Sequence, residues 1–284
     1  MTALASAAPQ TRAASPYRLS FPHLLRSEWI KLSTLRSTWW SIGVVVVLSV
    51  GVSLLIAGAL TSSAAMAEEA GGTVTIDPIM AVLSPTQFTM LLAGALGAIA
   101  ITGEYSTGMI RSSLTAEPRR GAVLVSKAVV VAALLGVSSL VVFAISIVAT
   151  APILRDTPVD WSDPSASSIP VLYGALAMAV FALIGLSWGF ILRNGPGAIA
   201  ATVGLLFVLP IVSSMFPYGD PSWQWIHDLA DHLPMFAAQA LMMPGQESSM
   251  TGAGMTDAVA LLTLGAWVAA GLLGSWAVLR TRDA

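Results

Sequence analysis

The chain has 284 residues, 56% of them apolar and only 10% charged, and its mean hydropathy is +0.80. Soluble domains carry about 25% charged residues, so this composition excludes a water-soluble globular protein. The net charge of −2 gives no basic footprint for nucleic acid, and the absence of cysteine excludes disulfide scaffolds, thiol nucleophiles and cysteine metal sites.

Residues 1–20, rich in Ala, Ser and Pro, have the composition of a disordered head. The remainder, 21–284, reads as a single membrane domain. It starts with Phe21, Leu24, Leu25, Trp29, Leu32 and Leu35, which cover one arc of about 140° on a helical wheel. Arg26, Ser27, Lys31, Ser33 and Thr34 fall at or beyond the edges of that arc. The pattern predicts an N-terminal amphipathic helix lying in the membrane interface and feeding a span that begins at Trp39 and Trp40.

Six apolar stretches follow, at about 39–60, 85–102, 128–150, 170–192, 197–216 and 258–279. Each is close to the roughly 20 residues that cross a hydrocarbon core, and none contains Asp, Glu, Lys, Arg or His. SSAAMA at 62–67 ends in an A-x-A cleavage pattern. The apolar run before it is longer than the 7–15 residues or so of a signal peptide, so the first run is expected to remain as a span.

Hydrophilic segments then alternate between two sides. Residues 1–38, 103–127, 193–196 and 280–284 hold all of the 13 Lys and Arg except Arg155. Positive residues mark the cytoplasmic side, so both termini are expected in the cytoplasm. Apart from Glu28, Glu104, Glu117 and Asp283, the acidic residues lie on the other side.

Small residues recur at helical spacing inside the spans: Ala93 and Gly97, Gly185 and Gly189, and Ala266, Ala270 and Gly274. They allow close helix approach, and packing within the subunit is the expected use. Arg193-Asn-Gly-Pro-Gly197 predicts a tight turn that makes spans four and five a hairpin. The segment 217–257 predicts short outer helices, broken at Pro234 and Pro244, before the sixth span. Its His227/Asp231 and Asp228/His232 pairs have i,i+4 spacing, but on an exposed face such pairs are solvated, and no metal is expected.

The first cytoplasmic loop, GEYSTGMIRSSLTAEPRR at 103–120, concentrates charge in a chain with little of it. Between Gly103 and Pro118 there is room for a three-turn helix. Tyr105, Met109, Ile110 and Leu114 form its apolar side, and Thr107, Gly108, Arg111, Ser112 and Thr115 lie opposite. Arg119 and Arg120 are explained by topology alone.

Several chemistries are missing. No span carries the charged group of a proton relay, and His23, His227 and His232 all lie outside the spans, away from any intramembrane nucleophile. Lys31 follows Ile and Lys127 follows Ser, so there is no G-x-x-x-x-G-K-[ST] loop for ATP phosphates. Energy for uphill transport must come from another polypeptide.

GEYSTGMIRSSLTAEPRRGAVLVSKAVV, with the head SEWIKLSTLRSTWW, resembles the permease subunits of type-two ATP-binding-cassette (ABC) exporters, especially those of actinobacteria. The resemblance implies an all-α integral membrane protein of the cytoplasmic membrane: a six-span permease domain with an N-terminal interfacial helix and a cytoplasmic coupling helix between spans two and three. It implies that Glu104, Tyr105, Met109, Ile110, Arg111 and Leu114 couple to a separate ABC ATPase. Two copies of that ATPase would bind ATP and Mg, and a second permease copy would complete a homodimer. Phe21, Leu25, Arg26, Trp29, Lys31 and Leu32 would form the interfacial helix. This chain itself would hold no cofactor and would not be an enzyme. Uncharged spans suit a lipophilic or amphipathic cargo moving outward. The alternatives are a membrane enzyme or sensor with its groups in 217–257, or an ATP-independent channel or scaffold.

Overall fold

A computed structural model describes residues 20–73, 75–217, 220–243 and 255–281. The disordered-head expectation for 1–20 and the break at Pro244 fall, save for Ser20, outside the described residues. Helices in order are α1 (Phe21–Thr34), α2 (Arg36–Glu69), α3 (Pro78–Leu83), α4 (Thr86–Thr107), α5 (Met109–Ala116), α6 (Arg120–Thr150) and α7 (Ser168–Leu192). Then come α8 (Gly195–Val203), a π-turn (Gly204–Val208), α9 (Leu209–Ser214), α10 (Gln224–Asp231), α11 (Pro234–Met242) and α12 (Asp257–Thr281). Six segments are long and apolar enough to cross a membrane: Arg36–Glu69, Pro78–Thr107, Arg120–Thr150, Ser168–Leu192, Gly195–Ser214 and Asp257–Thr281. The protein is an all-α, multi-pass membrane protein.

These helices outrun the apolar stretches read from sequence. In a bilayer an intact helix is the only way to satisfy the backbone, so helix continues until the chain is clear of hydrocarbon. The second span therefore carries Glu104 and the third carries Lys127, two charges that the shorter apolar windows leave out.

The packed centre is α4 against α7. Adding a Cβ to Gly97 would bring it 1.9 Å from Ala182 O, and one on Gly185 would lie 1.8 Å from Gly94 O. Gly189 is equally crowded, 2.3 Å from Ile101 Cγ2. The small residues of spans two and four thus face each other within one subunit, as the spacing predicts. The sixth span is split: Ala266 and Ala270 point outward, whereas Gly274 lies against Ile191, and Gly271 and Ser275 meet Ser187, all of α7. Spacing cannot tell which neighbour a small-residue stripe faces.

The turn at 193–197 forms as expected. Arg193 adopts a left-handed φ of 57°, and Asn194 caps α8 by accepting from Gly197 N at 3.0 Å. The fifth span is not a uniform helix. Pro210 has no N–H to donate and would clash with the carbonyl one turn earlier, and the π-turn just before it accommodates this.

At one end of the bundle lie α1, the end of α4, α5, the start of α6, the α7–α8 turn and the end of α12. Contacts of Arg120 with Leu279 O, and of Arg193 Nη2 with Val278 O at 3.4 Å, tie α12 into this end. Among the described residues, every Lys and Arg except Arg155 belongs to it. At the opposite end α11 buries Ala237, Ala238, Leu241 and Met242 against α7 and α12. His227 is buried beside Pro217 O, at 3.3 Å, rather than solvated as expected, because α10 turns this face inward. Among the described residues no group of three or more His, Cys, Asp or Glu is placed to hold a metal.

Candidate functional site

Ser20 precedes α1, Pro22 occupies its first turn, and Leu35 ends it in an extended conformation. Trp39 Nε1 reaches back to donate to Ser33 O at 2.8 Å, which satisfies one of the carbonyls orphaned at that end. Of the residues expected to form the interfacial helix, Leu25 and Leu32 are half-buried, whereas Phe21, Arg26 and Trp29 are exposed. Lys31 is not at the outer edge of the helix. It turns inward with Glu28, which is only 4% exposed. A wheel drawn on hydrophobicity places charges outside, and here a buried partner on another helix reverses that.

Glu28 and Lys31 meet Glu104 from α4 and Lys127 from α6. Lys127 Nζ donates to Glu28 Oε2 at 2.5 Å and to Glu104 Oε1 at 2.7 Å. Lys31 Nζ donates to Glu28 Oε1 at 2.7 Å, and more weakly to Glu104 Oε1 at 3.4 Å and Ser113 Oγ at 3.3 Å. Lys127 and Glu104 are 3% and 6% exposed. Two ammonium and two carboxylate groups make the cluster electrically neutral, which is the condition under which charges persist beside a bilayer. Among the described residues Glu104 Oε2 is buried without a hydrogen-bond partner.

Burial would push the Glu28 carboxyl up, but the charge and hydrogen bond of Lys127, and then Lys31, outweigh it, leaving the pKa below its ordinary 4.5. For Lys31 burial would pull the amine down, yet the Glu28 hydrogen bond and the Glu104 charge leave it above 10.5. A depressed carboxyl gives its full stabilisation above 4.5 and loses it as pH falls through the lower folded value. A raised amine gives its full contribution below 10.5 and loses it as pH rises through the higher folded value. Melting temperature should therefore be flat between those limits and fall below the acid one, and Glu28→Gln should shrink the acid-side loss.

The predicted three-turn helix from Glu104 to Leu114 is instead two helices. Gly108, at φ +73°, ends α4 and starts α5 in a new direction. That left-handed conformation suits glycine, and nothing in the helical spacing reveals it. Glu104 and Tyr105 thus belong to the second span. Tyr105 stands edge-on to Phe190, with ring centroids 6.4 Å apart, and Arg193 lies 5.3 Å from its ring centre. On α5, Ile110 is buried and Leu114 half-buried, while Met109 is 44% exposed and Arg111 is exposed. The apolar side expected to dock a partner is mostly used inside the subunit, and the free face is Met109, Arg111, Ser112 and Thr115. Glu117 accepts from the Arg119 backbone N at 3.1 Å and from its guanidinium at 2.8 and 2.9 Å, fixing the α5–α6 turn. A cavity of about 320 Å³ remains between α1, α5 and α6, lined by Leu24, Lys31, Met109 and Ser112 among others.

Sequence reading finds Glu104 and Lys31 but misses Glu28, Ser113 and Lys127. Glu28 and Lys31 are one turn apart, and Lys127 directly precedes a long apolar run. An amine and a carboxylate each forced against hydrocarbon must find one another, and that is the available signal.

Six apolar crossing helices, with a charged cluster and a short exposed helix gathered at one end, define a multi-pass membrane protein. Residues 25–284 match the family described as ABC-2 family transporter protein, and the chain belongs to that family. It is thus the membrane-spanning permease of an ABC transporter. A search of curated proteins finds no match to the chain.

Proposed function

We propose that this permease works as an exporter of a lipophilic or amphipathic molecule, with both termini in the cytoplasm of the cell that makes it. Energy comes from a separate ABC ATPase, which binds ATP and Mg. Two ATPases and two permease copies form the working assembly. The excess of Lys and Arg at the α1 end supports the orientation.

The observation that carries the reading is the placement of α5. It projects at the positive end, hinges on Gly108, and is joined to the Glu28–Lys31–Glu104–Lys127 cluster by the bond from Lys31 to Ser113. Docking of the ATPase on Met109 and Arg111 would push α5, and the cluster would pass the push to the ends of α1, α4 and α6 together. Such a push shifts the populations of two permease conformations only if the ATPase binds one of them better. Coexpression with a partner ABC ATPase tests this. Met109→Asp with Arg111→Glu should reduce copurification about tenfold, a change of ~1.4 kcal/mol in affinity. Unchanged copurification and transport would sink the docking role of α5.

A further inference from the structure

Little of the first span is covered by the rest of the chain: only 17% of its most apolar window is buried. Near the α1 end, α2 and α4 leave a groove of about 280 Å³ between them. Trp40, Ser41 and Val44 belong to one wall, and Leu92, Ala95 and Ile99 to the other. Trp40 is 77% exposed, and Val44 and Ile99 are exposed as well, so the groove opens sideways to the bilayer. From Ile99 to Leu92 is seven residues of helix, about 10 Å, which is a third of a core about 30 Å thick. The groove therefore runs from the membrane boundary toward the midplane, and no charged residue lines it.

The boundary end of the groove is rich in free donors. Arg36 opens α2 and stands four residues before Trp40, on the same side of the helix. It is exposed and, among the described residues, has neither an ion pair nor a hydrogen bond. Arg280, at the same end of the bundle, is engaged instead, with its guanidinium 4.0 Å from the centre of the Trp276 ring. Arg26 and Arg111 are also unpaired, but they sit on α1 and α5 rather than on the helices of the groove. Trp40 and the half-buried Ser41 make no hydrogen bond among the described residues. Their neighbours do: Trp39 donates to Ser33 O, and Ser33 and Thr34 turn back on Ile30 O at 3.3 and 2.7 Å. The carboxylates of α1 and of the boundary end of α4, Glu28 and Glu104, are buried and paired with Lys31 and Lys127.

We infer that this is a binding site for an anionic phospholipid of the leaflet that meets the α1 end. Its phosphate lies against Arg36, its ester oxygens accept from Trp40 and Ser41, and one acyl chain lies in the groove. An arginine fork matches phosphate geometry, and a tryptophan at the headgroup level offers its ring to hydrocarbon and its N–H to the ester region. The bound lipid keeps the orientation of its neighbours in the leaflet, with the head at the boundary and the chain toward the midplane. A zwitterionic head would bring an ammonium beside Arg36 with no free carboxylate to receive it, so a net negative head is preferred. The site goes beyond the permease reading and needs no ATPase.

The test uses the full chain, without ATPase or nucleotide, in detergent containing equal amounts of palmitoyl-oleoyl phosphatidylglycerol and phosphatidylcholine. Native mass spectrometry counts the lipids that stay bound. The phosphatidylglycerol adduct should exceed the phosphatidylcholine adduct about fivefold, the value of one basic side chain at an anionic surface. Arg36→Gln should abolish that preference, whereas Arg280→Gln, which removes the same charge at the same end, should leave it intact. Ala95→Phe fills the groove from α4 and should remove the phosphatidylglycerol adduct. Val44→Trp fills it from the exposed wall on α2 and reads the same loss if Ala95→Phe does not fold. Equal binding of the two lipids overturns the site. So does an Arg280→Gln variant that loses the preference as Arg36→Gln does, or an adduct that survives in the folded groove-filling variants. ATPase copurification, measured separately, reports on the permease reading, so the two can fail independently.

Discussion

Lys127→Met should be the most damaging single change at the α1 end. It leaves the Glu28 and Glu104 carboxylates facing each other with only Lys31 between them, and Lys31 reaches Glu104 weakly, at 3.4 Å. Removing one partner of a buried ion pair costs about 3–5 kcal/mol, because it strands the other charge. The thermal midpoint in detergent should fall sharply, and transport should fail. The same principle gives an internal check. Glu104→Gln, added to Lys127→Met, removes the one stranded carboxylate, leaves Glu28 and Lys31 paired at 2.7 Å, and should restore most of the lost stability. It should not restore transport if the cluster carries movement from α5. A double variant no more stable than the single one would mean that the cluster matters for shape rather than charge.

The second large effect is expected at the α4–α7 seam. Gly97→Val or Gly185→Val places side-chain carbon where a backbone oxygen already sits, 1.9 Å and 1.8 Å away. Ordinary overpacking costs about 1–3 kcal/mol. Here the obstacle is backbone, so the helices must separate along their length, and neither variant should yield monodisperse protein on size exclusion. Gly58→Val makes a matched control, since a Cβ there meets nothing within 4 Å. If Gly97→Val purifies and melts like Gly58→Val, the close approach of α4 and α7 is wrong.

Much of this fold is legible in sequence because a bilayer reduces the problem to length and hydrophobicity. The six spans, the hairpin at 193–197 and the pairing surface at Gly185 and Gly189 all follow from local pattern. What was not legible depends on distant partners. Glu104 stands out, but its partners Lys127 and Lys31 are 23 and 73 positions away, and no periodicity links them to it. Gly108 looks no different from Gly103 until its φ is known, yet one ends a helix and the other sits inside it. Ala266 and Ala270 repeat like Gly185 and Gly189 but face outward, because the partner surface on α7 meets another side of α12.

The bond between Glu28 and Lys127 spans 99 positions, and this has a consequence for biosynthesis. Ribosomes add about 5–20 residues per second, so Lys127 is made roughly 5–20 s after Glu28. Until then α1 has left the ribosome with Lys31 alone to neutralise its acid, and it cannot seat against the bundle. The third span therefore delivers the charge that allows the first two spans and the leading helix to settle. A chain truncated before Lys127 should insert its spans yet leave α1 open to protease, whereas one continuing through α6 should protect it.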